Sequence, residues 1–391
     1  MPPGADPRRP PGRLLRGDPP RDLRRRRRRR LGLDQQGPGR RRGPHRPPLQ
    51  LRPVTVGVSV LIPVHDAAPT LAAALSSVTA QTASDFEAVV VLNGCTDASA
   101  EIAREHAARD RRFVVVERPE GDLVGGLNAG IAGLRAPVVA RLDADDVMAP
   151  ERLAVQLAAL ERHPEWTAVT SRVVCEAIDG GPAGAGMSRY VDWLNGLTTP
   201  AAIAHARFID APVCQPAVTM RTAALRGVGG YRSGPFAEDH DLWLRLLGTG
   251  AHFGAVPEAL LTWRDHPSRL TRSDSRYAAV RRRALVHGHL LAGPLAGGRP
   301  CRLWGAGRYG RAHARGLRAL GAVVEDVIDI DPRKFGREVA GGLRVVDAAT
   351  VGPPAGRLIL LAVASPGARA VVSARLERLG HAPGRDYLPV Q

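Results

Sequence analysis

The 391-residue chain is poor in lysine, aromatic residues and cysteine. It has a single lysine, Lys334, and only 4% of its residues are Phe, Trp or Tyr. Its four cysteines, at positions 95, 175, 214 and 301, form no Cys-x-x-Cys pair and are too far apart for metal-ligand spacing. This spacing argues against a cysteine-based metal site and favours a reducing cytoplasm as the location.

Long apolar runs are also missing. No window approaches the roughly 18 consecutive apolar residues of a membrane span, and no apolar segment of a secretory signal follows the arginine-rich start. We therefore expect a soluble or peripheral protein. With 44% hydrophobic residues, the chain is long enough for two or three domains with ordinary cores, which excludes a peptide, a fibrous chain or a wholly disordered protein.

The net charge of +17 is concentrated at the start of the chain. Residues 1–53 hold 17 Arg and 4 Asp, with 12 Pro and no aromatic residue, whereas the other 338 residues carry only about +4. We expect this tail to be a disordered extension, or translated sequence upstream of a true start near residues 54–58. Attachment to an anionic membrane or to nucleic acid is the alternative. Without aromatic residues, specific nucleic-acid recognition is disfavoured.

Short β-branched runs and amphipathic stretches alternate from residue 54 onward. Strands are predicted at 56–63, 86–92, 113–117 and 138–142, and helices at 70–81, 98–109 and 127–134. Such alternation is typical of βαβ units in a mostly parallel sheet, so the fold class is α/β. In these sheets ligands bind at the carboxyl ends of the strands, where polar residues collect in this sequence.

The remaining chain divides into several parts. A helix at 151–163 precedes a glycine-rich loop at 180–186, and a second dense region covers 214–271. We expect a catalytic domain at 54–275, a helix and linker at 276–299, and a separate α/β domain of about ninety residues at 300–391.

Three carboxylates end the fourth predicted strand in the segment Arg141-Leu142-Asp143-Ala144-Asp145-Asp146. Like charges this close repel, so the segment needs a cationic partner. Mg²⁺ or Mn²⁺, which carboxylates hold while leaving sites for phosphate oxygens, fits this requirement. A solvated acidic turn is the alternative, although it explains one aspartate better than three.

A second acidic pair, Glu238-Asp239, begins a predicted buried helix that contains Leu242 and Trp243. Carboxylates at this position are stabilised by the free N–H groups and dipole of the helix. The pair is either a capping cluster or a positioned general base.

The segment 58–270 resembles the family 2 glycosyltransferases of GT-A fold, which transfer a sugar from a nucleotide diphosphate donor, usually with inversion. The resemblance rests on six ordered elements, which are Val58-Ser59-Val60-Leu61-Ile62-Pro63-Val64-His65-Asp66, Leu92-Asn93-Gly94-Cys95-Thr96-Asp97, Asn128-Ala129-Gly130-Ile131, Asp143-Ala144-Asp145, Gly229-Gly230-Tyr231 and Glu238-Asp239-His240-Asp241-Leu242-Trp243-Leu244-Arg245.

The resemblance implies a role for each matching residue. Asp145, with Asp143, would hold Mn²⁺ or Mg²⁺, and Asp239, beside Glu238, would take the acceptor proton. His266 would be a late metal or diphosphate ligand, with a structural histidine as the alternative. The donor nucleotide would contact a further set of residues, which are Pro63, Asp66, Asn93, Asp97, Asn128 and Asp143.

Two departures from the family pattern bear on the donor. Leu92-Asn93 stands where an acidic pair is usual, so the choice among UDP-, dTDP- and GDP-sugars stays open. Leu127 stands where relatives often carry Arg, so the diphosphate would rely on the metal or on another arginine. With Lys334 outside the catalytic domain, any cationic clamp there must be arginine.

The C-terminal part has a Gly-x-Gly-x-x-Gly pattern at Gly305, Gly307 and Gly310, between a predicted strand and a helix. Asp329 follows nineteen residues after the last glycine, at the end of a second strand. This context fits a dinucleotide fingerprint and resembles small Rossmann-like domains attached to sugar-modifying enzymes. A nucleotide-free packing or oligomerisation module is the alternative, because glycines also permit tight turns.

Three functions follow from these observations. The first is a metal-dependent, inverting glycosyltransferase that acts on a glycan or lipid-linked acceptor in cell-surface polysaccharide or glycoconjugate synthesis, in the cytoplasm or at the inner face of the plasma membrane. The second is a non-catalytic nucleotide-sugar-binding scaffold. The third is an NAD-dependent oxidoreductase that would act through the C-terminal domain.

Overall fold

The computed structural model describes residues 56–363, 365 and 367–391. The tail predicted at residues 1–53 lies outside this range. None of the described helices is both long and apolar enough to cross a lipid bilayer.

The first sheet has eight strands. They are β1 (Val58–Val64), β2 (Phe86–Asn93), β3 (Phe113–Arg118), β4 (Val138–Arg141), β5 (Val147–Met148), β6 (Trp166–Ala177), β7 (Thr219–Arg221) and β8 (His252–Asp265). Ten helices accompany them, namely α1 (Ala68–Thr79), α2 (Ser99–Arg109), α3 (Leu123–Gly133), α4 (Arg152–Arg162), α5 (Ala185–Asn195), α6 (Pro200–Ala206), α7 (Thr222–Gly227), α8 (Glu238–Gly248), α9 (Leu270–Ser273) and α10 (Ala279–Ala292).

The strand order is β3-β2-β1-β4-β7-β6-β8-β5. Strands β3, β2, β1 and β4 are parallel to one another, and β7 runs antiparallel to both β4 and β6. Every residue of β1 and β2 is buried, as expected for central strands covered by helices on both faces. The predicted α/β class with a mostly parallel, mixed sheet between helices is confirmed.

Helix α3 begins at Leu123, four residues before the predicted start. The Asp122 carboxylate accepts a hydrogen bond from the Gly125 backbone N–H at 2.5 Å and so caps the helix. The Gly125-Gly126 pair in the first turn is unfavourable for a helix, and for this reason the sequence pattern predicts a later start.

The second sheet contains β9 (Cys301–Trp304), β10 (Val324–Asp329), β11 (Glu338–Val339), β12 (Leu343–Asp347), β13 (Leu358–Leu361) and β14 (Tyr387–Pro389), with helices α11 (Arg308–Ala319) and α12 (Ala368–Arg378). The strand order is β11-β12-β10-β9-β13-β14. All strands except β11 pair in parallel. Numbered along the chain without β11, the order is 3-2-1-4-5, which is that of a Rossmann-like sheet.

Helix α10 joins the two sheets through a shared hydrophobic core. Val286 and Leu290 of α10 are fully buried in one cluster with Leu303 of β9 and Leu317 of α11. The His287 and His313 rings, one from each helix, form a hydrogen bond of 2.9 Å. The helix predicted within residues 276–299 is therefore present, and its buried residues Val286, His287 and Leu290 pack in this core.

The close approach of α3 to the sheet gives a stability prediction. A Cβ at Gly130 would lie 2.2 Å from the Leu61 Cδ1 atom, so we expect Gly130→Ala to lower the unfolding free energy by about 1–3 kcal/mol. Gly133→Ala is the matched control, because its nearest neighbour would be at an ordinary 4.0 Å. Urea unfolding of both variants measures the difference, and equal stability of the two would contradict the packing argument.

Candidate functional site

A cleft of about 550 Å³ opens at the carboxyl ends of β1, β2 and β4. The parallel register places Leu61 of β1 opposite Arg141 of β4, so the loops that follow both strands emerge side by side. Eight of the predicted site residues line this cleft, which are Pro63, Asp66, Asn93, Asp143, Asp145, Glu238, Asp239 and His266.

Three carboxylates meet directly after β4. One oxygen from each of Asp143, Asp145 and Asp146 lies within 4.8 Å of the others. Asp146 is 1% exposed, and only its Oδ1 has a partner, the Arg264 backbone N–H at 2.9 Å. Burial, with the charges of Asp145 and Asp143, raises the pKa of Asp146 well above its usual value. Three hard oxygen donors with one unpartnered buried atom fit a divalent cation. Sequence reasoning did not assign Asp146 as a ligand, although it continues the same aspartate run.

Arg141 supplies positive charge beneath this cluster. Its side chain is almost completely buried, and its Nη2 donates to the Asp143 Oδ1 at 2.5 Å. Burial lowers the pKa of Arg141, but Asp143, Tyr231 and Glu238 outweigh this effect and raise it overall. The guanidinium therefore stays charged and holds Asp143 in place.

His266 reaches the cluster from the segment after β8. Its Nε2 lies 2.9 Å from the Asp145 Oδ2, and its Nδ1 lies 2.9 Å from the Ser268 Oγ. Burial and Asp143 raise the pKa of Asp145, while the hydrogen bond with His266 opposes the increase. His266 contacts Asp145, but it lies outside the group of three carboxylates that approach within 4.8 Å.

Glu238 and Asp239 form the first turn of α8, where the sequence placed them. Glu238 is 2% exposed, and its Oε2 accepts a hydrogen bond from the Tyr277 hydroxyl at 2.8 Å. The Asp239 Oδ1 accepts the His240 backbone N–H at 2.6 Å. Burial and the neighbouring Glu238 charge raise the pKa of Asp239 to about 8. A carboxylate with this pKa is an effective base near neutral pH once it has lost its proton.

A second cavity, of about 230 Å³, adjoins the cleft and is also lined by Asp239. It extends to Asp210 and Arg282, which form an ion pair at 2.6 Å. Six residues line both spaces and form a shared wall, namely Tyr190, Asp239, Trp263, Arg269, Thr271 and Tyr277. Asp239 is therefore exposed to both cavities at once.

Comparison with known proteins agrees with this arrangement. Residues 59–220 match the model described as Glycosyl transferase family 2. The chain contains a family 2 glycosyltransferase domain. The match ends before α8, so the positions of Glu238 and Asp239 rest on the geometry described above.

Proteins that are named as glycosyltransferases are similar in sequence to this domain. EpsE of Bacillus subtilis (strain 168) is 29% identical over 227 residues, which cover 56% of this chain and 77% of that protein. The amylovoran biosynthesis glycosyltransferase AmsE of Erwinia amylovora is 28% identical and covers 48% of this chain and 67% of its own length. The structure of S. aureus TarS 1-349 aligns with a TM-score of 0.49 at 16% identity, over 67% of this chain and 69% of that one.

Two residues of the glycosyltransferase domain that are predicted to contact the donor nucleotide form hydrogen bonds to neighbouring loops. The Asp66 carboxylate accepts the Thr96 backbone N–H at 2.6 Å and the Thr96 hydroxyl at 3.0 Å, and this hydrogen bonding lowers the Asp66 pKa. Asp97 accepts the backbone N–H groups of Ala68 and Ser99, both at 2.9 Å. Asp66 lines the cleft and Asp97 does not, so a direct nucleotide contact by Asp97 stays a prediction.

The two predicted asparagines lie in different surroundings. Asn93 lines the cleft, and its Oδ1 is buried without a hydrogen-bond partner. Asn128 lies outside the lining, and its amide both donates to the Tyr231 carbonyl and accepts the Tyr231 N–H, each at 2.9 Å. Asn93 is thus available to a ligand, whereas Asn128 holds the turn formed by Gly229, Gly230 and Tyr231.

The C-terminal glycines and Asp329 meet as the fingerprint predicts. A Cβ at Gly310 would lie 1.7 Å from the Gly305 carbonyl oxygen, so the turn requires glycine there. The Asp329 Oδ2 accepts the Ala306 backbone N–H at 2.8 Å and also contacts the Lys334 Nζ at 3.0 Å. Gly307 faces open space. Internal partners already engage Asp329, and the group lines neither cavity, so nucleotide binding there stays a prediction.

The raised pKa of Asp239 predicts a pH-dependent stability. Because this carboxyl titrates at about 8 in the folded protein and near 3.8 when unfolded, the unfolded chain loses its proton first as the pH rises. The resulting destabilisation grows between about pH 4 and pH 8. We expect Asp239→Asn to raise Tm by roughly 2–6 °C at pH 8 and by much less at pH 4. Thermal scans across this range test the effect, and a pH-independent difference would refute it.

Proposed function

We propose that the glycosyltransferase domain transfers a sugar from a nucleotide diphosphate donor to an acceptor hydroxyl, with inversion, in one displacement. The observation that carries the proposal is the position of Asp239 in the wall between two cavities. The larger cavity is lined by Asp143 and Asp145 of the aspartate cluster and by Asn93, as a donor site requires, and the smaller one leaves space for an acceptor.

The donor would occupy the larger cavity with its base near Asp66 and Asn93. The unpartnered Oδ1 of Asn93 can accept a hydrogen bond from a base N–H, which UDP, dTDP and GDP all offer. Asp143, Asp145 and Asp146 would hold Mn²⁺ or Mg²⁺, which supplies positive charge against the donor diphosphate. Arg141 keeps Asp143 oriented for this role.

The acceptor hydroxyl would approach from the smaller cavity. The Asp239 carboxylate takes its proton as the acceptor oxygen attacks the anomeric carbon on the face opposite the diphosphate. Glu238 is held by the Tyr277 hydroxyl and keeps a second acidic group beside the base, which strengthens Asp239 as a proton acceptor. The aromatic ring of Tyr190 in the wall of this cavity suits a sugar ring.

The biological setting is also part of the proposal. AmsE is named for amylovoran biosynthesis, which supports polysaccharide or glycoconjugate synthesis on a glycan or lipid-linked acceptor. All four cysteines are free, which is compatible with the cytoplasmic location inferred from their spacing. Peripheral membrane contact through the tail stays a hypothesis.

Two substitutions separate donor binding from proton transfer. Asp145→Asn should weaken Mn²⁺-dependent binding of UDP, dTDP or GDP at least about tenfold, because it removes a ligand charge. Asp239→Asn should keep nucleotide affinity within about twofold but lower kcat by about 10²–10⁴. Calorimetry measures binding, and slow hydrolysis of the donor sugar measures turnover without a known acceptor.

The exposed Asp192 of α5 provides the control, because Asp192→Asn should change neither quantity. Normal turnover in Asp239→Asn would remove the base assignment. Nucleotide binding without turnover in the wild type, with any acceptor tried, would favour the scaffold. Binding of NAD, without binding of any nucleoside diphosphate, would favour the oxidoreductase that acts through the C-terminal domain.

A further inference from the structure

Three arginines line the two cavities, and two of them are already paired. Arg141 donates to Asp143, and Arg282 forms an ion pair with Asp210. The guanidinium of Arg269 has no carboxylate within 4.0 Å among the described residues, and its one hydrogen bond there is a long contact of 3.4 Å to the Arg264 carbonyl. Arg269 is thus a cation in the shared wall with its donors uncommitted.

The position of Arg269 is fixed by the strand that precedes it. Val147, directly after the aspartate cluster, pairs with Thr262 of β8. The hydrogen bonds from the Arg264 N–H to Asp146 and between His266 and Asp145 secure the next residues against the same cluster. The Arg269 guanidinium then lies over the Trp263 ring, 4.3 Å from its centre.

This arrangement suits phosphate recognition. Stacking on the Trp263 ring limits the side-chain freedom that binding would otherwise remove and leaves the edge of the guanidinium available. Arginine binds phosphate oxygens through two parallel N–H donors, which a lysine cannot do. The single lysine of the chain, Lys334, lies in the C-terminal sheet region, so an arginine has to supply any such cation in this site.

We propose that Arg269 binds the diphosphate of the donor and stays bound to the nucleoside diphosphate as it leaves. This inference rests on the function proposed above. In the transfer, the bond between the anomeric carbon and the diphosphate oxygen breaks, and its electron pair stays on that oxygen. The acceptor oxygen forms the new bond and passes its proton to Asp239. Arg269 lines both cavities, and its positive charge stabilises the negative charge that grows on the leaving diphosphate.

An anionic group on the acceptor is the other ligand that Arg269 could reach from the shared wall. The acceptor cavity already contains the guanidinium of Arg282, but Asp210 neutralises it and the Asp239 carboxyl lies in the same space. The larger cavity is lined by Asp143 and Asp145, which with the buried Asp146 would hold a divalent cation, and a diphosphate is an anion that shares such a site. The balance of charge therefore favours the donor.

The test compares Arg269→Gln and Arg269→Lys with Arg281→Gln in the full-length chain. Arg281 is an exposed arginine of α10 that lines neither cavity, so it controls for the loss of one positive charge. Calorimetry measures UDP, dTDP and GDP with Mn²⁺, the corresponding nucleosides, and Mn²⁺ alone. We expect Arg269→Gln to weaken binding of the preferred diphosphate about 10- to 100-fold and Arg269→Lys to recover part of it.

Two further affinities, for the nucleoside and for Mn²⁺ alone, distinguish binding of the diphosphate charge by Arg269 from a role of Arg269 in packing. Arg269→Gln should leave nucleoside affinity within about twofold, and it should bind Mn²⁺ alone equally or more tightly, because a repelling positive charge is gone. Loss of structure would weaken all three together.

Diphosphate affinity in Arg269→Gln equal to that of Arg281→Gln would overturn the inference. So would a variant whose only defect is a higher KM for the acceptor, since that result assigns Arg269 to the acceptor. A wild type that binds no nucleoside diphosphate with Mn²⁺ would instead overturn the proposed function itself, and this inference with it.

Discussion

The repulsion among three carboxylates at the end of β4 is the constraint to which the rest of the site is fitted. Two unit charges about 5 Å apart repel by roughly 3 kcal/mol at an effective dielectric constant of about 20. The protein compensates with the buried Arg141 below Asp143, the Arg264 backbone N–H on Asp146 and the His266 ring on Asp145. Arg141 comes from β4, Arg264 from β8 and His266 from the segment directly after β8, so the pairing of β8 beside the cluster brings two of the three partners into place.

The site combines this cluster with a second destabilising pair, Glu238 and Asp239. Burial raises the pKa of both carboxyls, so part of their charge is suppressed until a ligand or a higher pH favours it. Groups with shifted pKa values are common at catalytic sites, because a carboxylate whose pKa is raised binds a proton more strongly and is a better general base. Arg269 adds a positive charge that is paired with no carboxylate among the described residues, next to an excess of negative charge that a divalent ion would neutralise.

Local patterns in the sequence predict much of this arrangement. The strand and helix alternation predicts the parallel part of the sheet, and strand ends predict where Asp143, Asp145 and Asn93 meet. Other features depend on contacts between distant residues. Asn128 binds the Tyr231 backbone 103 positions away, and nothing near Asn128 in the sequence indicates that partner. Arg269 is one of many arginines, and only its stacking on Trp263 and the lack of a carboxylate within 4.0 Å among the described residues distinguish it from the paired ones.

Helix α10 shows why the C-terminal sheet bears on the transferase site, although the two have separate strand patterns. Arg282 and Leu285 of this helix line the smaller cavity, while Val286 and Leu290 are buried against the C-terminal sheet. Burial lowers the pKa of His287 to about 4 and that of His313 to about 3, so both rings stay neutral and one donates its N–H to the other. Because this helix contributes Arg282 to the cavity and Val286 and Leu290 to the core of the C-terminal sheet, a shift of the helix would move Arg282 relative to Asp210. The packing of the C-terminal sheet therefore helps to position one wall of the smaller cavity, whether or not its own glycine-rich turn binds a nucleotide.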